Sequence, residues 1–212
     1  MKRPLVSLFV TDQAACQQYR GVHARDAAAH DLPLPEKMAQ DPVPAAFAEV
    51  YERHFDYVWR ALRRLGVAES DLEDLAHDVF LAVHRRLDQL DPNRPARPWL
   101  FAFALRVASA HRRRARARHE VVGLDNQVAS DDPTALERVI QGEALALAQA
   151  ALDTLDLEKR AVFILHEIDG YSMPEVSLAL EIPLNTAYSR LRLARTRFAA
   201  ALKRAELRRS SP

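Results

Sequence analysis

The 212-residue sequence predicts an all-α protein of two helical domains joined by an acidic flexible linker. Three observations carry this. Glycine is scarce, at five residues, while Ala, Leu and Arg dominate, a composition that favours helices. Apolar residues recur every three or four positions in several windows, and no window shows the alternating β-branched runs between turn signals that mark a strand. Between Glu120 and Pro133 the composition turns loop-like and acidic, with Gly123, Asp125, Asn126, Asp131 and Asp132, which divides the helical windows into two groups.

Residues 1–45 have no sustained period and end in Pro33, Pro35, Pro42 and Pro44, which predicts a mobile N-terminal extension. Its start, Met1 to Val10, has the charged and apolar regions of a signal peptide, but Thr11, Asp12 and Gln13 interrupt the apolar stretch where such a signal must continue. Cys16 is the only cysteine, so neither a disulfide framework nor a cysteine metal cluster is expected, and a reducing cytoplasm fits. The longest apolar run is far too short to span a bilayer, so a cytoplasmic protein without membrane insertion is expected.

The first domain is placed at residues 46–118. In its first helix Phe47, Val50, Tyr51, Phe55, Val58, Leu62 and Leu65 make one stripe, and Gly66 is a natural stop. Ser70 and Glu73 have capping-box spacing. They open a helix that Leu72, Leu75, Val79, Phe80, Val83 and Leu87 continue to about Leu90. Its other face bears Asp71, Asp74, Asp78, Arg85 and Arg86, either a solvated surface or a docking face. The three prolines of Asp91 to Pro98 predict a stiffened non-helical loop carrying Asn93, Arg94 and Arg97.

A third helix opens at Trp99, Leu100, Phe101 and Phe103. It runs through Arg106 into a basic tail containing Arg112 and Arg113. Aromatics followed by cations suit single-stranded DNA, where each stacked base contributes about 1 to 3 kcal/mol. Leu100, Phe103, Ala104 and Val107 also lie on a plausible core face, so Phe103 reads as packing and Trp99 fits either role.

The linker is placed at 119–133 and the second domain, a four-helix unit, at 134–206, with a short tail at 207–212. Leu136, Val139, Ile140, Leu147, Ala151 and Leu155 face inward in its first helix. Asp156 caps a shorter one, packed by Val162, Phe163, Leu165 and Ile168 and ended by Gly170. Ser172 to Arg197 then reads as a helix-turn-helix. Ser172 and Glu175 form a capping box with Pro174 in the first turn, and Val176, Ala179 and Leu180 line the inner face. The last helix opens at Asn185 with Thr186 behind it. Its apolar stripe is Ala187, Leu191, Ala194 and Phe198, which leaves Tyr188, Ser189, Arg192, Arg195 and Thr196 outward, a basic and hydroxyl-rich face suited to a DNA groove.

The net charge of +1 says nothing about nucleic acid, but its distribution does. Acids crowd from Glu69 to Asp78 and bases from Arg112 to Arg118 and from Arg190 to Arg209, which suggests more than one kind of partner.

Taken in order, from about Phe47 to Arg204, these pieces resemble the extracytoplasmic-function (ECF) group of bacterial sigma-70 factors. Asp71 to Phe80 looks like the helix by which that family docks on the RNA polymerase clamp. Pro95 to Leu100, ending Pro98-Trp99-Leu100, looks like the segment that recognises and opens the minus-ten element. Leu155 to Leu165, Gly170 to Ser172, Glu175-Val176 and Thr186 to Arg195 resemble the domain that reads the minus-thirty-five element.

The resemblance implies a promoter-directing initiation factor whose partners are core RNA polymerase (clamp and flap), promoter DNA and an anti-sigma factor. The DNA is duplex at minus thirty-five and single-stranded non-template at minus ten. It implies core-binding roles for Asp71, Asp74, Asp78, Phe80 and Arg86, and minus-ten roles for Asn93, Arg94, Arg97, Trp99, Arg106, Arg112 and Arg113. Minus-thirty-five roles fall to Ser172, Asn185, Thr186, Tyr188, Ser189, Arg190, Arg192 and Arg195. In the family the acidic linker threads the polymerase cleft. No catalytic residue, metal or cofactor is expected.

The chain departs from the family's usual Gly-Thr-Val at the recognition-helix start, with Asn185-Thr186-Ala187, and has Ser177 after Glu175-Val176. Two alternatives are weighed. A self-contained helix-turn-helix regulator explains Ser172 to Arg197 but not the acidic helix or the aromatic-basic one. A metal phosphohydrolase built on the His77-Asp78 doublet, with Asp74, His54 and His84 around it, has only a weak motif in its favour.

Overall fold

The computed structural model describes residues 45–122 and 136–210. The predicted extension before residue 45 and the acidic linker from residue 123 lie outside the described residues. Among the described residues there are seven helices: α1 (Ala45–Arg64), α2 (Leu72–His84), α3 (Ala96–Val122), α4 (Leu136–Asp153), α5 (Leu157–Phe163), α6 (Met173–Ala179) and α7 (Leu184–Ser210). No strand occurs among the described residues.

α1, α2 and α3 pack on one another around Val58, Leu62, Leu65, Leu72, Val79, Phe80, Leu100 and Phe101. α1 stops where expected, because Gly66 takes φ +86 and returns the chain towards α2. In the second unit α4, α5 and α6 all pack on α7, whose Ala187, Leu191, Ala194 and Phe198 are buried as the stripe predicts.

Several boundaries differ from expectation. Ser70 does not cap α2: a 3-10 turn, Glu69–Asp71, precedes the helix, Asp71 becomes the N-cap residue, and the Ser70 hydroxyl turns to Asp71 Oδ1 at 3.3 Å. α2 ends at His84 rather than near Leu90, with Leu87–Gln89 as a separate 3-10 turn. The expectation that Pro98 lies outside helix is corrected, since α3 begins at Ala96 and Pro98 sits in its first turn. There the missing N–H has no intrahelical partner to lose. α3 extends to Val122, so residues 119–122 are helix and not linker. α7 opens at Leu184, one residue before the expected Asn185, and continues to Ser210, so most of the expected tail is helix.

The helix-turn-helix is set locally. Ser172 accepts from the N3 backbone, and Glu175 Oε2 accepts from the Ser172 backbone N–H at 2.7 Å, which closes the capping box. Between α6 and α7 the backbone of Glu181 takes φ +54, a left-handed conformation uncommon for a side chain of this size. Two hydrogen bonds hold the corner: Ile182 N donates to Ser177 O at 3.1 Å, and Ser177 Oγ donates to Ile182 O at 2.6 Å. The serine that departs from the family pattern is therefore used in the turn.

The two units are packed together. Buried side chains of both form one continuous core, and α6 lies against α3. Periodicity assigns each helix an inner face but says nothing about contacts between helices a hundred residues apart.

Candidate nucleic-acid and polymerase interfaces

On α2 the apolar side chains Leu72, Leu75, Ala76, Val79, Phe80 and Val83 are buried, which leaves Glu73, Asp74, His77 and Asp78 exposed on one side of the helix. Arg86, past the helix end, is also exposed. Asp71 is half-buried and pairs with His111 Nε2 at 3.1 Å, so it ties α2 to α3. Phe80 corrects an expectation. At 2% exposure its ring lies within an aromatic cluster with Phe47, Tyr51 and Phe55, so it shapes α2's seat and offers no surface to a partner.

The segment before α3 is turned by Asp91, whose carboxylate accepts from the Asn93 backbone N–H at 2.9 Å and pairs with Arg94 at 3.3 Å. Asn93, Arg94 and Arg97 are exposed, and the Arg97 guanidinium lies 5.4 Å from the centre of the Tyr57 ring. Trp99 is half-buried, edge-on to Phe103 with centroids 4.7 Å apart. Phe103 is core, as its helical position predicts, and the exposed Arg106 covers its face at 4.6 Å. Arg113 lies exposed further along α3, where Arg112 is half-buried, so the cations form a band running on from Trp99.

On α7 the stripe fixes the rotation of the recognition helix. Tyr188, Ser189, Arg192, Leu193, Arg195 and Thr196 are exposed; Thr186 and Arg190 are half-buried. Asn185 lies inside the first turn, exposed, and is not the cap residue. The Ser189 hydroxyl donates to Thr186 O at 2.9 Å and keeps lone pairs for a partner, whereas the Ser172 hydroxyl is engaged by Glu175 in the capping box. Arg190 is ion-paired with Glu158 of α5, and Arg195 with Glu167, to which its Nε donates at 2.7 Å. Arg192 makes no ion pair among the described residues.

This difference predicts different losses. Arg192→Ala is expected to cost about 1 to 3 kcal/mol of binding and to relax preference at one base position, as removal of a bidentate guanine contact does. Arg195→Ala should weaken binding to all sequences by less than a free cation would and flatten the salt dependence, because Glu167 already neutralises part of its charge. Transcription from a promoter library with each variant checks both. If Arg192→Ala lowered output uniformly while Arg195→Ala changed the selected bases, the recognition face would be rotated from the one described.

Four residues at the junction of the units have no signal in helical periodicity. Asp169 follows a π turn, Ile164–Ile168, and its side chain is 9% exposed. It accepts from the Tyr57 hydroxyl at 2.8 Å and pairs with Arg64 Nη1 at 3.3 Å, both from α1. Burial pushes the Asp169 carboxyl above its ordinary pKa against the opposing pull of Arg64 and Tyr57. Burial and then the Asp169 charge hold the Tyr57 phenol well above its own, so the tyrosine keeps its proton and donates it. Arg160 is 1% exposed. Its Nη1 donates to Asp153 Oδ1 at 2.9 Å and its Nη2 to Leu155 O at 3.2 Å, its buried Nε has no partner among the described residues, and it lies so close to Gly66 that a methyl group there would collide with the guanidinium.

Among the described residues no three His, Cys, Asp or Glu side chains converge as a metal site, and no helix is long and apolar enough to cross a membrane. Asp74, His77 and Asp78 lie along one exposed side of α2.

An all-helical protein with a helix-turn-helix, an acidic helix face and an aromatic-basic helix belongs to the class of multi-surface DNA-binding transcription factors. Comparison narrows the class. The first unit matches Sigma-70 region 2 over residues 50–118, and the second matches Sigma-70, region 4 over residues 145–198.

The RNA polymerase sigma factor NccH of Alcaligenes xylosoxydans xylosoxydans is 33% identical over 166 residues, covering 76% of this chain and 89% of the relative. CnrH of Cupriavidus metallidurans is 32% identical, covering 74% and 86%. Among solved structures, CnrH in complex with the cytosolic domain of CnrY aligns with a TM-score of 0.52 at 28% identity, covering 74% of this chain and 87% of that one. The sigma factor RpoE of Bartonella quintana, in complex with the anti-sigma factor NepR, aligns at 0.61 and 21% identity, covering 74% and 96%, a likeness of fold. The chain belongs to the sigma-70 family of RNA polymerase sigma factors, in its ECF group, and directs promoter-specific transcription.

Proposed function

We propose that the two units divide promoter recognition and polymerase binding as the resemblance implies, with residues 46–118 acting on polymerase and the minus-ten element and residues 134–206 on the minus-thirty-five element. The observation that carries this is the rotation of α7. Its buried Ala187, Leu191, Ala194 and Phe198 turn Tyr188, Ser189 and Arg192 outward near the N-terminal half of the helix, the part that enters a major groove in this motif. Asp74, Asp78 and Arg86 form the docking face for a basic surface of the core enzyme, while Asp71 positions α2. Arg94, Arg97, Trp99, Arg106 and Arg113 hold the non-template single strand by stacking and phosphate contact.

The protein performs no covalent chemistry and needs no cofactor; its work is binding energy distributed over two DNA sites. It acts in the cytoplasm. An anti-sigma factor restrains it, a partner class suggested by the solved complexes of CnrH with CnrY and of RpoE with NepR. Transcription in vitro with purified core polymerase tests the reading. Promoter-specific transcripts that require both proteins are expected. Tight duplex binding by the chain alone, with no stimulation of core polymerase, would instead support a self-contained regulator.

A further inference from the structure

The recognition helix is bracketed by carboxylates of the segment that packs on it. With Ala187, Leu191, Ala194 and Phe198 buried, a step of about 100° per residue puts Arg190 and Arg197 along one edge of the buried stripe and Arg195 along the other. Arg192 falls further round, outward of Arg195. Each edge meets acids from one helical run. Glu158, in the first turn of α5, pairs with Arg190, and Asp156, the α5 cap, has its Oδ2 3.3 Å from Arg197 Nη1. Glu167, in the π turn that follows α5, takes Arg195, whose Nε donates to it at 2.7 Å. Arg192 has no acid beside it among the described residues.

We propose that Glu158 and Glu167 are specificity-determining positioning residues of the duplex interface, clamping Arg190 and Arg195 at the edges of the stripe so that both meet phosphates only in the register in which Arg192 meets its base. The inference rests on the reading of α7 as the helix that reads the minus-thirty-five element. Phosphate contacts carry no sequence information of their own, but they fix the register of a protein on the duplex. An arginine without such a clamp swings on a long stem, finds a phosphate in any register and adds affinity for every sequence. A carboxylate beside the guanidinium restrains the stem and also subtracts from the counterion release that a phosphate contact provides. Exposed ion pairs add little to fold stability, so removing one acid acts on the interface rather than on the fold. Asp156 is a different case. Its Oδ1 accepts from the Lys159 backbone N–H at 3.0 Å, and a substitution there would disturb the start of α5 itself.

The test uses the full chain with Glu158→Gln, Glu167→Gln and Asp88→Asn. The last removes one exposed acid away from α7 and controls for the change in net charge. Binding of a short fluorescent random-sequence duplex is titrated at several salt concentrations, and promoter-library transcription with core polymerase reads the base preference at the upstream element. A thermal scan checks the fold. Relative to Asp88→Asn, each glutamine variant is expected to bind the random duplex about fivefold more tightly at low salt, with a log–log salt slope steeper by roughly half to one, as one added phosphate contact gives. The library should show a relaxed preference at the base that Arg192 reads, although Arg192 itself is untouched.

A salt slope and random-duplex affinity equal to those of Asp88→Asn would overturn the clamp, and so would weaker binding at an unchanged melting temperature. A steeper slope with an unaltered base preference would overturn the role in specificity. Should Glu167→Gln melt early, Glu158→Gln decides, since its side chain is 69% exposed; early melting of both would make the acids supports of the fold and overturn the proposal. Failure of the initiation-factor reading shows separately, as absent promoter-specific transcription by the unaltered chain with core enzyme.

Discussion

Reversing both Asp74 and Asp78 to Arg is expected to lower affinity for core polymerase by at least a hundredfold and to abolish promoter-specific transcription, with the helical fold retained. Both side chains are exposed on α2 while the apolar residues between and after them, Leu75, Ala76, Val79 and Phe80, are buried. The substitution therefore changes what the helix presents and not how it is seated. Against a basic partner each reversal replaces attraction by like-charge repulsion, which costs several kcal/mol at an interface and suppresses steered encounter as well. Fluorescence titration against core enzyme, with circular dichroism on the free variant, checks the prediction. Native helicity with undiminished core affinity would reject α2 as the docking face.

The second large effect concerns the seat of the recognition helix. Phe198 is 3% exposed, and its ring lies 4.6 Å from that of Phe163, at a tilt of 34°. Phe198→Ala removes this ring from between α5 and α7 and should cost about 3 to 5 kcal/mol, the transfer term plus the cavity left where the helices cannot close up. For a domain of this size that corresponds to a fall of roughly 10 °C in melting temperature. Recognition of the upstream element should fail with it, because the same stripe that carries Phe198 sets which residues of α7 face the groove. A thermal scan and duplex binding in the polymerase complex measure the two losses. A melting temperature within about two degrees of the unaltered protein would mean that the aromatic pair does not hold the helix.

Much of this was legible in one dimension, for a simple reason. A helix that buries one face writes that face into the sequence at 3.6-residue spacing, so the stripes of α2 and α7 predict their burial closely, whereas on α1 only Val58, Leu62 and Leu65 of the expected stripe are buried and Tyr51 is exposed. Capping chemistry is equally local: Ser172 with Glu175, Asp156 with Lys159, and Gly66 and Gly170 at positive φ all lie within a few residues of the ends they define. The misreadings share a cause as well. Ser70 has capping spacing, yet the turn at Glu69–Asp71 carries its hydroxyl to Asp71, and Phe80 sits in an acidic motif yet belongs to the core. In each, three-dimensional packing chose between two roles that spacing alone allows.

The sequence by itself determined the helices, the outward face of α7, the acidic face of α2 and the aromatic-basic character of α3, since all are properties of residues within one or two turns of each other. Only the tertiary structure decided which cations are already engaged. Arg190 with Glu158, Arg195 with Glu167 and Arg106 with Glu181 are pairs between separate elements, so Arg192 stands apart from Arg190 and Arg195 although the three look alike in the sequence. It also decided that Tyr57, Arg64 and Asp169 meet. A buried carboxylate is tolerable only where donors satisfy it, and those donors lie on a helix more than a hundred residues earlier, at a separation where no local period or spacing can record the contact.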